Sequence, residues 1–484
     1  MTADAFIRPE AIRPLPYNPL LASPILPTLT RLAAPNMISM LAVALVAVAE
    51  TAYVGLLGVP SLAAMAMVFP MVMLQQMMSA GAMGGGVSSA IARALGAGDD
   101  VRAQALALHA VVIGASVAVA FSIIFLGFGR QIYAGLGGRG SVLEEALVYS
   151  NTIFIGVAGI WLTNTLASVL RGSGNMKIPS IILLGVAVLQ TVLSGGLSLG
   201  LGGLPRLGML GLGLGQIIAF AIGTLVLLAF LRSNRSRVRL VFSASLLRGE
   251  MFRDILKVGA LACLSPLQSV LTVLILTGLI ARFGTNALAG YGIGARLEFL
   301  LIPITFAIGV ACVPLVGMAI GAGDVPRARR IAWTGGAMSA LVLGVVGLVV
   351  AAMPQLWANI FTDDQGVRAS AYAYLSWAAP AYGFFGLGLC LYFASQGAGK
   401  VLGPVLAGTV RLLVVAAGGW WLATQGAPEW SIFALIGIAM IVFGLLTVAA
   451  VYFVPWGLIP NPDDHLSHRR GRRRVSPLAG RDRG

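Results

Sequence analysis

The chain has 484 residues, of which 58% are hydrophobic and only 10% charged, whereas soluble domains carry about 25% charged residues. That deficit excludes a soluble enzyme and marks a polytopic membrane protein. The formal net charge of +15 would also suit a nucleic-acid partner, but Arg and Lys sit in short stretches between apolar runs and in the C-terminal tail, the distribution that membrane topology produces.

Residues 1–30 are proline-rich and carry Arg8 and Arg13. No short apolar core with a cleavage site precedes the first long apolar run, so no removable signal peptide is expected. A helix that crosses a bilayer needs roughly 20 apolar residues. Twelve segments qualify: 31–57, 62–91, 103–127, 145–170, 178–200, 209–231, 255–281, 288–320, 331–353, 369–396, 402–423 and 431–455. Several exceed the minimum, which predicts tilt or kinks. Pro35, Pro70, Pro266, Pro303, Pro314 and Pro380 lie inside or near the starts of these segments, where a packed bundle tolerates a kink.

The first segment contains VALVAVAETAYVGLLG at 43–58, with Glu50 in its middle and no other acid between Glu10 and Asp99. An ionisable group at that depth is costly, so it should face protein or a water-filled cavity and carry a function. Proton carriage is the functional reading, and a structural acid hydrogen-bonded inside the bundle is the bland one. Asn164 in the fourth segment, Gln190 in the fifth and Gln216 in the sixth are polar groups that could serve it or simply tie helices together. The second segment is rich in Met, and its run Gly81-x-x-Gly84-Gly85-Gly86 suits close helix approach. His109 in the third reads as incidental. In the eighth segment, Arg296 and Glu298 are two residues apart and so do not face each other on a helix. Tyr372, Tyr374, Trp377, Tyr382, Phe384 and Phe385 cluster in the tenth, as an interface belt or as a wall that stacks flat cations. Glu298, Arg296, Tyr291, Tyr382 and Phe385 form the candidate substrate wall. Arg411 in the eleventh reads as a snorkelling or structurally paired residue. Cys263, Cys312 and Cys390 all fall in apolar runs, with no disulfide framework and no metal spacing. No Walker sequence occurs, so ATP is not the expected energy source.

Counted by loop, 25 Lys and Arg residues lie on the side of the termini and 5 on the other: Arg130, Arg139, Arg206, Arg282 and Arg368. Both termini are therefore expected in the cytoplasm. The sequence also repeats. GAGDDVRA at 96–103 returns as GAGDVPRA at 321–328, an offset of 225. Gly172-Ser173-Gly174 returns as Gly397-Ala398-Gly399 at the same offset, and the turn at Gly58 returns at Gly284, offset 226. Each half holds six spans, so two like-oriented bundles are related by an axis along the membrane normal, a transporter architecture. The expected organisation is an N-terminal segment 1–30, a first lobe 31–231, a linker 232–254, a second lobe 255–455 and a basic tail 456–484.

These markers resemble the multidrug and toxic compound extrusion (MATE) family. They are Pro35 with Glu50-Thr51 and Gly55-x-x-Gly58, Leu62-Ala63-Ala64, the two Gly-Ala-Gly-Asp loops, Leu170-Arg171-Gly172-x-Gly174, and Ala295-Arg296-Leu297-Glu298. The resemblance implies twelve helices in two lobes around a V-shaped central cavity. It implies efflux of amphipathic, often cationic, compounds against protons or sodium, with no cofactor beyond that gradient. The partners implied are a small-molecule substrate and the lipid bilayer of a plasma (bacterial inner) membrane, and a monomer is expected. By motif position, Glu50 stands for the family's helix 1 acid and Asn164 for a family Asn. Gln190 stands where Asn is common, Ser194 where one branch has a second Asp, and Gln216 near a family hydroxyl. Another branch places cation-binding acids in helices 7 and 10, and neither segment has one here. The reading is a proton antiporter with a coupling set of Glu50, Asn164, Gln190, Ser194 and Gln216. A lipid-linked oligosaccharide flippase of the same superfamily is the alternative, but those carry more spans and a more basic cavity. A receptor or scaffold is disfavoured by the lack of a sizeable domain outside the membrane.

Overall fold

The computed structural model describes residues 19–243 and 247–457. Arg8, Arg13 and the basic run at 469–474 lie outside the described residues. Eleven apolar helices and one bent pair give twelve spans among the described residues. They are α1 (Ile25–Leu57), α2 (Val59–Gly96), α3 (Asp100–Gly135), α4 (Gly140–Ile155 and Val157–Gly172), α5 (Lys177–Leu199), α6 (Gly208–Arg232), α7 (Gly249–Ala281), α8 (Thr285–Gly321), α9 (Val325–Ala352), α10 (Gln365–Gly397), α11 (Leu402–Thr424) and α12 (Glu429–Phe453).

Several helices outrun their apolar segments, because backbone hydrogen bonding continues past the hydrophobic stretch wherever a cap closes it. Helix α1 begins at Ile25, inside the stretch expected as an N-terminal segment, and α7 begins at Gly249, inside the expected linker. The prolines do not place the largest bend. Pro35, Pro70, Pro303 and Pro314 sit within continuous helices. The bend of 47° in α4 falls at Gly156 instead, where an added Cβ would meet Ile217 Cγ2 at 2.5 Å.

The repeat is reproduced in backbone detail. Gly98 and Gly323 both adopt φ 78°, a left-handed conformation that glycine reaches without penalty. Asp99 Oδ1 accepts from the Arg102 N–H at 2.8 Å, and Asp324 Oδ1 accepts from the Arg327 N–H at 2.9 Å. Each is a helix N-cap, of a kind typically contributing ~1 kcal/mol. Gly58 and Gly284 turn the chain alike, at φ 120° and 98°.

The first lobe packs around one apolar core that includes Tyr133, Phe154, Trp161 and Leu212. The second lobe has two, one around Cys312, Leu391 and Phe393 and the other around Tyr374, Phe433 and Leu276. The lobes approach closely in the terminus-bearing halves of their helices. A Cβ on Gly96 would lie 2.2 Å from the Met318 carbonyl oxygen, and one on Gly321 2.1 Å from that of Arg93. Backbone thus lies on backbone there.

Candidate functional site

Helix α1 carries Glu50 to the inside of the first lobe, where it is 5% exposed and the one buried acid among the described residues. Helix α5 supplies its partners. Gln190 Nε2 donates to Glu50 Oε1 at 2.8 Å and Ser194 Oγ donates to the same oxygen at 3.1 Å. The two donors are four residues apart, which puts them one above the other on one helix face. Close packing brings that face to α1, since a Cβ on Gly195 would meet the Tyr53 ring at 2.8 Å. Ser194 Oγ also lies 3.1 Å from the Leu212 carbonyl oxygen on α6. Its single hydrogen therefore has two acceptors within reach. No Lys, Arg or His forms an ion pair with Glu50 among the described residues. Tyr149 of α4, fully buried, lies within electrostatic reach of the carboxyl. Nothing in the sequence singled it out, because a tyrosine in an apolar span reads first as packing.

The expected coupling set is not assembled as a whole. Asn164 donates to Ser79 Oγ at 2.8 Å, across to α2, and makes no hydrogen bond to Glu50. Gln216 is buried with its Oε1 unpartnered. Glu50, Gln190 and Ser194 come together; Asn164 and Gln216 do not join them by hydrogen bonds.

A second polar cluster lies in the other lobe. Glu298 accepts a hydrogen bond from Tyr374 Oη. Tyr374 packs edge-to-face with Tyr291 at 5.5 Å and with Phe433 at 5.4 Å. The Tyr382 hydroxyl is buried without a hydrogen-bond partner and lies within electrostatic reach of Glu298. Arg411 does not snorkel. Its guanidinium sits 5.5 Å from the Phe385 ring centre and 5.4 Å from that of Phe443, and it feels the charge of Glu298 without reaching ion-pair distance. Arg296 turns away to an exposed position over Phe361, at 5.3 Å, as its two-residue offset from Glu298 requires. Of the candidate wall, Glu298, Tyr291 and Tyr382 share one cluster, Phe385 joins through Arg411, and Arg296 lies apart.

Two hydrogen-bond donors, Gln190 Nε2 and Ser194 Oγ, point at one carboxylate oxygen of Glu50. Among the described residues no group of three His, Cys, Asp or Glu side chains is placed to hold a metal ion.

The family model MatE matches residues 35–194 and again 262–421, once in each half. The chain is 24% identical over 378 residues to the FAD transporter of Shewanella oneidensis, covering 78% of this chain and 82% of that one. It is 24% identical to the multidrug export protein MepA of Staphylococcus aureus, over 69% of this chain and 73% of that one. Among solved structures, a MOP superfamily transporter from Pyrococcus furiosus superposes with a TM-score of 0.82 at 22% identity, covering 90% of this chain and 96% of that one. An outward-facing multidrug resistance transporter of the same superfamily gives 0.80 at 23% identity, covering 90% and 98%.

Proposed function

The chain belongs to the MatE family of multidrug and toxic compound transporters, and from that premise we propose that it is a proton-driven antiporter that exports amphipathic cations by alternating access. The observation that carries the proposal is Glu50: a buried acid on a membrane-spanning helix, held by two neutral donors and, among the described residues, by no cation. A charged carboxylate draws in the Gln190 and Ser194 donors. A protonated one offers a donor of its own and releases Ser194 to the Leu212 carbonyl. Proton occupancy thereby changes which contacts between α1, α5 and α6 are comfortable, and so biases the packing of the lobe. The charge asymmetry of the loops supports a plasma membrane orientation with both termini inside.

A second reading of the substrate has its own support. Arg411 between two phenylalanine rings would suit a flat anion, and one relative is named for FAD transport. Reconstituted vesicles test both readings. With an inward proton gradient, the wild type is expected to export a cationic dye and Glu50→Gln to lose that export while remaining folded. Normal dye export by Glu50→Gln, or export driven by a sodium gradient alone, defeats the proton reading. Preference for a flavin dinucleotide over the dye defeats the cationic substrate.

A further inference from the structure

The boundary between the lobes in space does not follow the boundary in sequence. The start of α1 is seated on the second lobe: Leu29 is fully buried in the core that holds Cys312, Ile331 and Leu391. Arg327 Nη2 donates to the carbonyls of Leu20 at 3.2 Å and Ser23 at 2.6 Å, just ahead of α1. The start of α7 does the converse. Ile255, which lies 226 residues after Leu29, is fully buried in the core of the first lobe. Asp254 pairs with Arg93 at 2.6 Å and with Arg102 at 3.0 Å, and Arg102 is the repeat counterpart of Arg327. His109, read from the sequence as incidental, fastens the chain ahead of α7. Its Nδ1 lies 2.7 Å from the Ala105 carbonyl oxygen, its Nε2 accepts the Arg248 N–H at 2.9 Å, and its ring meets Phe252 edge-on at 4.5 Å. Val238 and Leu240 are buried in the same first-lobe core, and Leu240 N–H donates to the Leu231 carbonyl at 3.1 Å.

We propose that the terminus-side gate is a pair of crossed helix starts: residues 19–33 move with the second lobe, residues 247–255 move with the first, and α1 and α7 flex where they change allegiance. In α7 the change falls between Ile255, buried in the first-lobe core, and Val258 and Ala262, buried in the core of Cys312 and Leu391, and a break in the helix follows it. Its helix is interrupted at Cys263, between Gly249–Ala262 and Leu264–Ala281, and Pro266 removes a backbone donor just beyond. In α1 the change falls between Leu29, seated on the second lobe, and Glu50, bonded to α5. Two seats related by the repeat, each made of a buried aliphatic and an arginine, are what a pair of rigid bodies needs if each is to keep hold of the other while they rock. Opening the gate then separates each helix start from its own sequence half. It does not break the Asp254 or Arg327 seats.

The inference rests on the chain opening on alternate sides, not on the identity of the coupling ion. The test uses the full chain with Cys263, Cys312 and Cys390 replaced, reconstituted, and spin-labelled in pairs at the exposed positions Val101, Glu250 and Lys400. The Val101–Lys400 distance reports terminus-side opening under any condition that produces it. Where that distance lengthens, Glu250–Lys400 is expected to lengthen with it and Val101–Glu250 to stay fixed. The reverse, with Val101–Glu250 lengthening and Glu250–Lys400 fixed, would show that α7 moves whole with its own half and would overturn the proposal.

Discussion

At the scale of residues, Glu50 was legible because an acid in an apolar run has few benign explanations. Gln190 and Ser194 were picked out only by motif position in the family resemblance, and their spacing of four puts them on one helix face. Tyr374 was not recognised as the partner of Glu298, since an aromatic residue in a span belongs by default to packing or to the interface. Asn164, read as a donor to Glu50 or as an ordinary tie between helices, bonds Ser79, a contact that depends on how α2 and α4 cross and that no local pattern records. The two donors to Glu50 are unequal. Gln190 has no second acceptor among its hydrogen bonds, while Ser194 can turn to Leu212. Gln190→Leu should therefore impair coupling more than Ser194→Ala. Losing a hydrogen bond to a charged group is worth about 1.5–3 kcal/mol, so the initial rate of proton-driven export should fall roughly ten- to a hundredfold for Gln190→Leu. Equal losses for the two variants would contradict this ranking.

At the scale of elements, the glycines divide into two kinds. Gly323 has φ 78° with nothing within 4 Å of an added Cβ. Gly323→Ala should then cost only the backbone penalty, about 1–2 kcal/mol, seen as a lower melting temperature in detergent with export retained. Gly321→Ala meets the Arg93 carbonyl oxygen at 2.1 Å, and backbone cannot swing aside as a side chain can. That variant should keep its fold but fail to close the terminus side, losing export with little loss of melting temperature. A large stability loss at Gly323, or normal export by Gly321→Ala, would reverse the assignment. Helix existence was readable from apolar length, and the loops from their Gly-Asp pattern. The bend at Gly156 was not. Proline marks where a helix loses a donor, but Pro35, Pro70, Pro303 and Pro314 lie in continuous helices, and the bend falls at Gly156, where only a residue without a Cβ leaves room for Ile217.

At the scale of the molecule, the twofold repeat and the two-lobe membrane fold were legible because a long offset shared by three separate motifs leaves little else to infer. The swapped helix starts were not, since sequence order assigns a helix to the half it is written in. The halves share a backbone plan but not a chemistry. At offset 226 Glu50 becomes Leu276, and at offset 225 Gln190 and Ser194 become Val415 and Gly419. The second lobe builds its own acid from Glu298 and tyrosines instead.

The single buried acid of the first lobe also has an electrical meaning. A site with one carboxyl and neutral helpers loads at most one proton per turnover. If that proton leaves inward while a monovalent cation leaves outward, no net charge crosses the bilayer. The membrane potential then does no work on the exchange, and only the difference in pH drives it. Export of a singly charged dye should be insensitive to a potential imposed by a potassium ionophore, whereas an uncharged substrate should carry a measurable current inward. A dye flux that follows the potential would mean that a second charge travels with each cycle, and Glu298 would be the first residue to ask about.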